Sequence, residues 1–427
     1  MQGNLLTTIL ALLFYLASSL FGGNSNLDPP GPPPDNSNHD FYPFYGTVSG
    51  KQASLRPEIA SNTGLIVLSQ GAGVMVLDQK DGWYCVQTDS GAQGWIPAWM
   101  VSARKSTPGK NLEKVIAGYY VENNEKDQAG YRSLVQNLNI INTLIPFSYK
   151  VDQYGTISGS HPIKPCSLAR SAGLTTLALV NNIKGGNFNS NSIHKMLTNA
   201  SARSKAINGI LRIILENGYQ GVNIDFENVP SRDRIYLTAF FRELSAALRS
   251  RNLLVTASLP AKTSDDFISA HGGAFDYRAL GPLLDQVMLM TYDEHYSGGS
   301  PGPVASYPWV EKVIKYALRH FAPDKIILGI AAYGYDWRWG SGKALTYSAI
   351  QKLIDSHKIF PKWHNLYRTP YFTYRSWGIN HEVWYENRYS TVAKMELVRN
   401  YGLKGVAVWR LGYEDPAIWT AIKQKMG

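Results

Sequence analysis

One alternation constrains this chain more than any other feature. From Lys114 to Gly427, short runs of β-branched and aromatic residues alternate with longer amphipathic stretches. Eight runs read as strands: Val115–Val121, Leu144–Ser148, Leu174–Val180, Val222–Phe226, Leu253–Leu259, Gln286–Tyr292, Lys325–Ala332 and Gly405–Trp409. Between them, Tyr131–Leu138, Lys205–Asn217, Ser231–Asn252 and Trp309–Phe321 read as helices. Ser231–Asn252 places Leu237, Phe240, Phe241, Leu244 and Leu248 on one face. A strand flanked by helices is most often a buried parallel strand. Eight such units predict an α/β fold, a (β/α)8 TIM barrel with its chemistry at the strand C-termini. Strands seven and eight are far apart in sequence. The stretch between them, about residues 336–390, holds more Trp and Tyr than a helix needs. It is expected to be an α+β insertion walling one side of the site.

The fourth strand lies in Tyr219–Pro230, which reads YQGVNIDFENVP. Successive side chains of a strand point to opposite faces. Val222, Ile224 and Phe226 therefore share an apolar face, and Asn223, Asp225 and Glu227 share a polar one. Two carboxylates this close cannot both ionise freely when buried, so their pKa values should be driven apart. That is how a site keeps one protonated acid beside one carboxylate.

The N-terminal part is built differently. Residues 1–21 contain the apolar run Leu5–Leu20, with small residues near Ala17–Ser19. This is expected to be a signal peptide, although no Lys or Arg precedes Lys51; a membrane anchor is the alternative. Residues 22–44 are a Pro-rich linker. Residues 45–103 hold short runs at Gly46–Val48, Gly64–Leu68, Gly73–Asp78, Gly82–Thr88 and Ala92–Pro97, which predict a small all-β barrel. Trp83, Tyr84, Trp95 and Trp99 are expected mainly in its core. Residues 104–113 form a second linker. Cys85 and Cys166 fall in different predicted domains, so no structural disulfide is expected. The formal charge of +10 suits a polyanionic setting such as a cell wall. No Lys/Arg cluster forms a nucleic-acid footprint, so no nucleic-acid partner is expected.

Two resemblances sharpen this reading. Gly82–Thr88 (GWYCVQT) and Gly91–Val101 (GAQGWIPAWMV) resemble the bacterial SH3-like domain of wall-associated enzymes. That resemblance implies binding to wall peptide or glycan; a spacer barrel without a ligand is the alternative. Lys114–Gly427 resembles glycoside hydrolase family 18, the chitinase-like barrel. The family's fourth strand reads Asp-Gly-x-Asp-x-Asp-x-Glu, and Gln220–Glu227 matches its last two acids while carrying amides at the first two. Met290-Thr291-Tyr292-Asp293 matches the family's sixth strand, and Trp409 matches the Trp ending the eighth. Tyr292–Ser306, His381–Tyr385 and Trp409–Gly412 resemble the spore cortex and cell-wall branch. Relatives in that branch often carry LysM modules, so the SH3-like segment is a departure.

The resemblance implies a glycosidase that cleaves at N-acetylglucosamine by a retaining, substrate-assisted mechanism. Peptidoglycan or a chitin-like polysaccharide would be its partner, and a secreted, wall- or spore-associated monomer is expected. Glu227 is expected to be the acid, Asp225 to orient the substrate acetamido group, and Tyr292 to hydrogen-bond its oxygen. Trp409 is expected to floor the sugar, or else to plug the barrel end. Asn223, Met290, Asp293, Glu294 and Trp384 are expected to bind substrate, with Glu386 beside Trp384 on the inserted wall. Asn223, standing where relatives carry an acid, should leave Asp225 less coupled to a deeper proton. No cofactor is expected. His295 beside acids is weak grounds for a metal, and none is expected. A non-catalytic glycan-binding barrel is the reading from another class; the presence of Glu227 argues for the enzyme.

Overall fold

The computed structural model describes residues 44–88, 91–103, 114–124 and 127–426. The segments read as signal peptide or anchor and as linkers lie outside them, apart from Phe44. No helix among the described residues is long and apolar enough to cross a membrane.

Eight parallel strands close into a barrel in sequence order: β1 (Val115–Tyr120), β2 (Thr143–Val151), β3 (Thr175–Asn181), β4 (Gly221–Asp225), β5 (Leu254–Pro260), β6 (Gln286–Met290), β7 (Ile326–Ala331) and β8 (Gly405–Trp409). Pairing of β8 with β1 and of β1 with β2 completes the ring. Every residue of β1, β4 and β7 is buried, as expected of strands covered on both faces.

The two faces of β4 separate as its alternation predicts. Val222, Ile224 and Phe226 pack outward into the core shared with the helices. Helix Arg234–Arg249 contributes Leu237, Phe240, Phe241, Leu244 and Leu248 to that core. It is shorter than the sequence suggests, because Ser231–Asp233 forms a 3-10 turn and Asn252 turns the chain at φ 56°. Inside the barrel, Val115, Ala117, Ile145, Leu177, Leu179, Met288, Ile327 and Ala407 fill the lower layers.

Between β7 and β8, a five-stranded antiparallel sheet and helix Tyr347–His357 form an α+β insertion. Its strands lie in the order Ser341–Thr346, Tyr333–Arg338, Ile379–Tyr385, Thr369–Ser376, Lys362–His364.

The N-terminal segment forms a five-stranded antiparallel sheet and a two-stranded one. Two strands, Gln52–Leu55 and Val101–Ala103, were not among the runs read from the sequence. Its core is aliphatic (Val48, Leu55, Val74, Val76, Val86, Ile96) rather than aromatic. Trp83, Tyr84 and Trp95 are half-buried, and Trp99 is 74% exposed. Single small strands bury only one face, and the branched residues occupy it. Cys85 and Cys166 are both free thiols.

Candidate active site

A cavity of about 400 Å³ opens at the C-terminal ends of the barrel strands. Asp225, Glu227, Met290, Tyr292, Asp293 and Trp409 all line it. Residues from β4, β6 and β8, separated by nearly two hundred positions, therefore meet at one mouth.

Asp225 is the last residue of β4 and is 5% exposed. Glu227 stands two residues further on, partly open to the cavity. Phe226 between them is fully buried and packs on Phe240, with ring centroids 5.4 Å apart, so the pair cannot swing outward together. The backbone of Glu227 is clamped on both sides. Its N–H donates to Asn182 Oδ1 at 2.9 Å, and its carbonyl accepts from Asn182 Nδ2 at 2.9 Å. Asn228 then turns the chain away at φ 53°.

Burial raises the pKa of Glu227 above the carboxylate range, and the negative charges of Asp225 and then Asp293 add to the rise. Burial also raises Asp225, while the nearby Ser258 hydroxyl opposes that rise. Glu227 therefore holds a proton at pH values where an ordinary glutamate would not. Tyr292 is raised well above its usual value, chiefly by burial, and stays a neutral hydroxyl donor. Gly329 on β7 makes room for its ring: a Cβ there would stand 2.9 Å from Tyr292 Cε1. Asp293 follows at φ 59°, a left-handed conformation that carries its carboxylate toward the insertion. There Oδ1 accepts from Tyr333 at 2.6 Å and Tyr335 at 2.9 Å. Trp409 is held edge-on by Tyr119 and Phe147, each centroid 5.4 Å away. Its indole lines the cavity while packing on the barrel-interior cluster below.

Three residues expected to bind substrate do not reach the cavity. Asn223 is fully buried one layer below, where Oδ1 accepts from Ser258 Oγ at 2.9 Å. Its Nδ2 donates to Thr256 Oγ1 at 3.1 Å and meets Met288 Sδ at 3.4 Å. It braces the floor under Asp225. Glu294 turns back on its own loop and accepts from Ser306 N at 2.7 Å and Oγ at 3.0 Å. Ser306 in turn caps helix Tyr307–Ala317, so Glu294 is committed to that junction. Trp384 is 6% exposed, stacks on Tyr371 at 4.5 Å and donates Nε1 to Glu382. It fills the contact between the inserted sheet and the barrel mouth. Glu386 is likewise buried, 2.8 Å from Lys394 Nζ. His295 Nδ1 lies 3.0 Å from the Ser300 carbonyl, and no group of three or more metal-ligating side chains occurs among the described residues.

Other side chains were not singled out by sequence and now join the site. Asn182 is the first residue past β3, a position that the strand-end rule could have flagged. Tyr119, at the end of β1, lies 2.8 Å from Ser258 Oγ and ties β1 to β5 beneath the carboxylates. Asn181 stands in register with Asp225 and is 1% exposed, with Nδ2 lacking a hydrogen-bond partner. Ile183, Phe188 and Arg410 also line the cavity.

Residues 103–414 match the family model for glycosyl hydrolases family 18. The chain belongs to glycosyl hydrolase family 18. Its eight-stranded parallel barrel fits that family. The chain is 30% identical over 318 residues to the uncharacterized glycosylase YvbX of Bacillus subtilis (strain 168), covering 73% of this chain and 92% of YvbX. It is 28% identical over 302 residues to the cortical fragment-lytic enzyme of Bacillus anthracis, covering 67% and 69%. The crystal structure of a chitinase from Chromobacterium violaceum ATCC 12472 superposes with a TM-score of 0.70 at 31% identity, covering 74% of this chain and 99% of that one.

Proposed function

We propose that this glycosidase hydrolyses β-1,4 bonds at N-acetylglucosamine in peptidoglycan, from cell wall or spore cortex, with retention of configuration. One observation carries the reading: Glu227 keeps a raised pKa at the cavity mouth, with Asp225 beneath it on the same strand face. Asp225 is too deep to serve as an open nucleophile, so the substrate's own acetamido oxygen takes that part, as in other substrate-assisted family 18 enzymes.

In the first step Glu227 gives its proton to the glycosidic oxygen as the C1–O bond breaks. The acetamido carbonyl oxygen forms the new bond to C1 from the opposite face. Asp225 accepts the acetamido N–H and stabilises the positive charge of the cyclic intermediate. The Tyr292 hydroxyl donates a hydrogen bond to the acetamido oxygen, and Trp409 packs under the ring. In the second step ionised Glu227 takes a proton from water as the water oxygen bonds to C1 and releases the acetamido oxygen. Glu227 ends the cycle protonated.

The cortical fragment-lytic relative favours peptidoglycan and an extracellular or spore-associated setting, and the chitinase superposition makes chitin the competing substrate. Residues 45–103 act as an SH3-like wall-binding module in this reading, with exposed Trp99 as a contact.

Digestion of purified peptidoglycan, intact and pre-cut by a muramidase, tests the proposal. Wild type should release products with N-acetylglucosamine reducing ends by mass spectrometry, and Glu227→Gln should lose nearly all release. Release from chitin alone would move the assignment to a chitinase. No release from any glycan, with binding retained, would refute the enzyme.

A further inference from the structure

The inserted sheet carries two hairpins of unusual chemistry. Arg338 pairs with Ser341 around Trp339-Gly340, and Ser376 pairs with Ile379 around Trp377-Gly378. Trp339 and Gly340 have φ of 48° and 74°, and Trp377 and Gly378 have 52° and 78°. Positive φ at both positions of a two-residue loop is the type I′ turn, which favours Asn-Gly or Asp-Gly. The N-terminal sheet follows that rule: Lys80 pairs with Trp83 around Asp81-Gly82, at φ 50° and 78°. A bulky residue in the left-handed region costs free energy that packing usually offsets. Here it does not, since Trp339 is 79% exposed and Trp377 is 97% exposed. A local rule broken twice without a packing return points to use of the indoles.

Both turns lie at the same end of the sheet. Trp337 pairs antiparallel with Glu382, so the end of Tyr333–Arg338 runs beside the start of Ile379–Tyr385. A groove of about 640 Å³ opens there, lined by Trp337, Trp339, Thr373, Arg375, Asn380 and Glu382. Arg338 holds its guanidinium 6.0 Å from the Trp339 ring, and Arg375 Nε donates to the Gly378 carbonyl of the second turn. The other end of this strand reaches the catalytic cavity, where Tyr333 and Tyr335 donate to Asp293. Six residues of strand separate the two regions by roughly 17 Å.

We infer that the hairpin tips Trp339 and Trp377, with the groove beside them, form an accessory site for a glycan strand bearing carboxylates. The indole faces take the apolar faces of pyranose rings, Thr373 and Asn380 take hydroxyl and amide groups, and Arg338 and Arg375 take the carboxylates. The ligand assignment rests on the peptidoglycan reading of the catalytic cavity. A strand bound there would be held on insoluble wall while the cavity works on it.

The test uses the full chain carrying Glu227→Gln and Trp99→Ala, which removes the exposed contact proposed for the N-terminal module, co-sedimented with insoluble peptidoglycan and with chitin. Adding W339N and W377N installs Asn-Gly at both turns, so the fold should be retained, with an unchanged or higher unfolding temperature. Retention on peptidoglycan should weaken about tenfold. R338Q with R375Q should weaken retention on peptidoglycan more than on chitin. With Glu227 restored, W339N/W377N should lose turnover on insoluble peptidoglycan more than on soluble fragments. Unchanged sedimentation would overturn the inference, as would equal loss on soluble and insoluble glycans. If wild type cleaves no glycan, the catalytic reading fails separately, and sedimentation still decides the accessory site.

Discussion

Replacing Asp225 by Asn tests how the site keeps its acid protonated. Asp225 is the largest charge contribution raising Glu227, after burial itself. The two are two residues apart, which in extended chain is about 6.7 Å. At an effective dielectric of about 20, two unit charges at that distance repel by about 2.5 kcal/mol, equal to about 1.8 pH units. The cavity is open to water on one side, so screening lowers the expected shift to about 1 to 1.5 units. The sign follows from the role. Glu227 must be protonated to act, and a neighbouring anion makes its proton harder to lose. Without that anion the proton leaves at lower pH, and the alkaline limb of activity moves down. The assay is kcat/KM against pH on a soluble N-acetylglucosamine oligosaccharide, which reports the free enzyme's groups. Activity at the optimum should also fall about 100- to 1000-fold, since the developing positive charge loses its carboxylate. Asp293→Asn should move the limb the same way but less, because its charge contributes less to Glu227 than that of Asp225 does. A limb that stays in place or moves up in Asp225→Asn would refute the coupling.

Further outcomes follow from the same packing. Glu227 has a raised folded pKa, so the unfolded chain loses that proton first and stability falls as pH rises between the two pKa values. Glu227→Gln should therefore be about 1 to 2 kcal/mol more stable than wild type in alkaline urea titrations, with the gap closing near pH 4. Asn182→Ala removes both clamps on the Glu227 backbone. It should lower kcat about 10- to 100-fold through misplacement of the acid, with KM changed less, in steady-state assays. Lys394→Met removes the counter-charge of Glu386, which is 2% exposed. It should cost about 3 to 5 kcal/mol in denaturant unfolding, and Glu386→Leu added to it should recover most of the loss.

Much of the architecture was legible because it is written in short-range periodicity. Leu237, Phe240, Phe241, Leu244 and Leu248 repeat at helical spacing and all are buried on one face. Val222, Ile224 and Phe226 alternate with Asn223, Asp225 and Glu227, and the barrel sends the two sets to opposite sides. Residues at strand ends could be placed at the mouth by the barrel rule alone, and Tyr292, Asp293 and Trp409 are there. Spacing within β4 could not tell how deep each polar residue would lie. Asn223 falls one pleat too low to meet a ligand, because β4 continues past it to Asp225 before leaving the barrel.

The sequence by itself determined the repeat of strand and helix, the polar edge of β4 and the aromatic insertion, since each depends only on neighbours a few positions away. Tertiary structure alone decided which polar groups serve the site. Asn182 reaches Glu227 across 45 positions, a link that exists only once β3 and β4 lie side by side. Glu294, adjacent in sequence to Asp293, is captured by Ser306, because the left-handed turn at Asp293 sends the two carboxylates different ways. Trp384 is committed to packing because its face of the inserted sheet closes on the barrel mouth, whereas Trp339 and Trp377 stay exposed because they sit at turns beyond the last paired residues. Pairing between distant strands sets depth and direction, and those two quantities turn a list of acids and aromatics into a site.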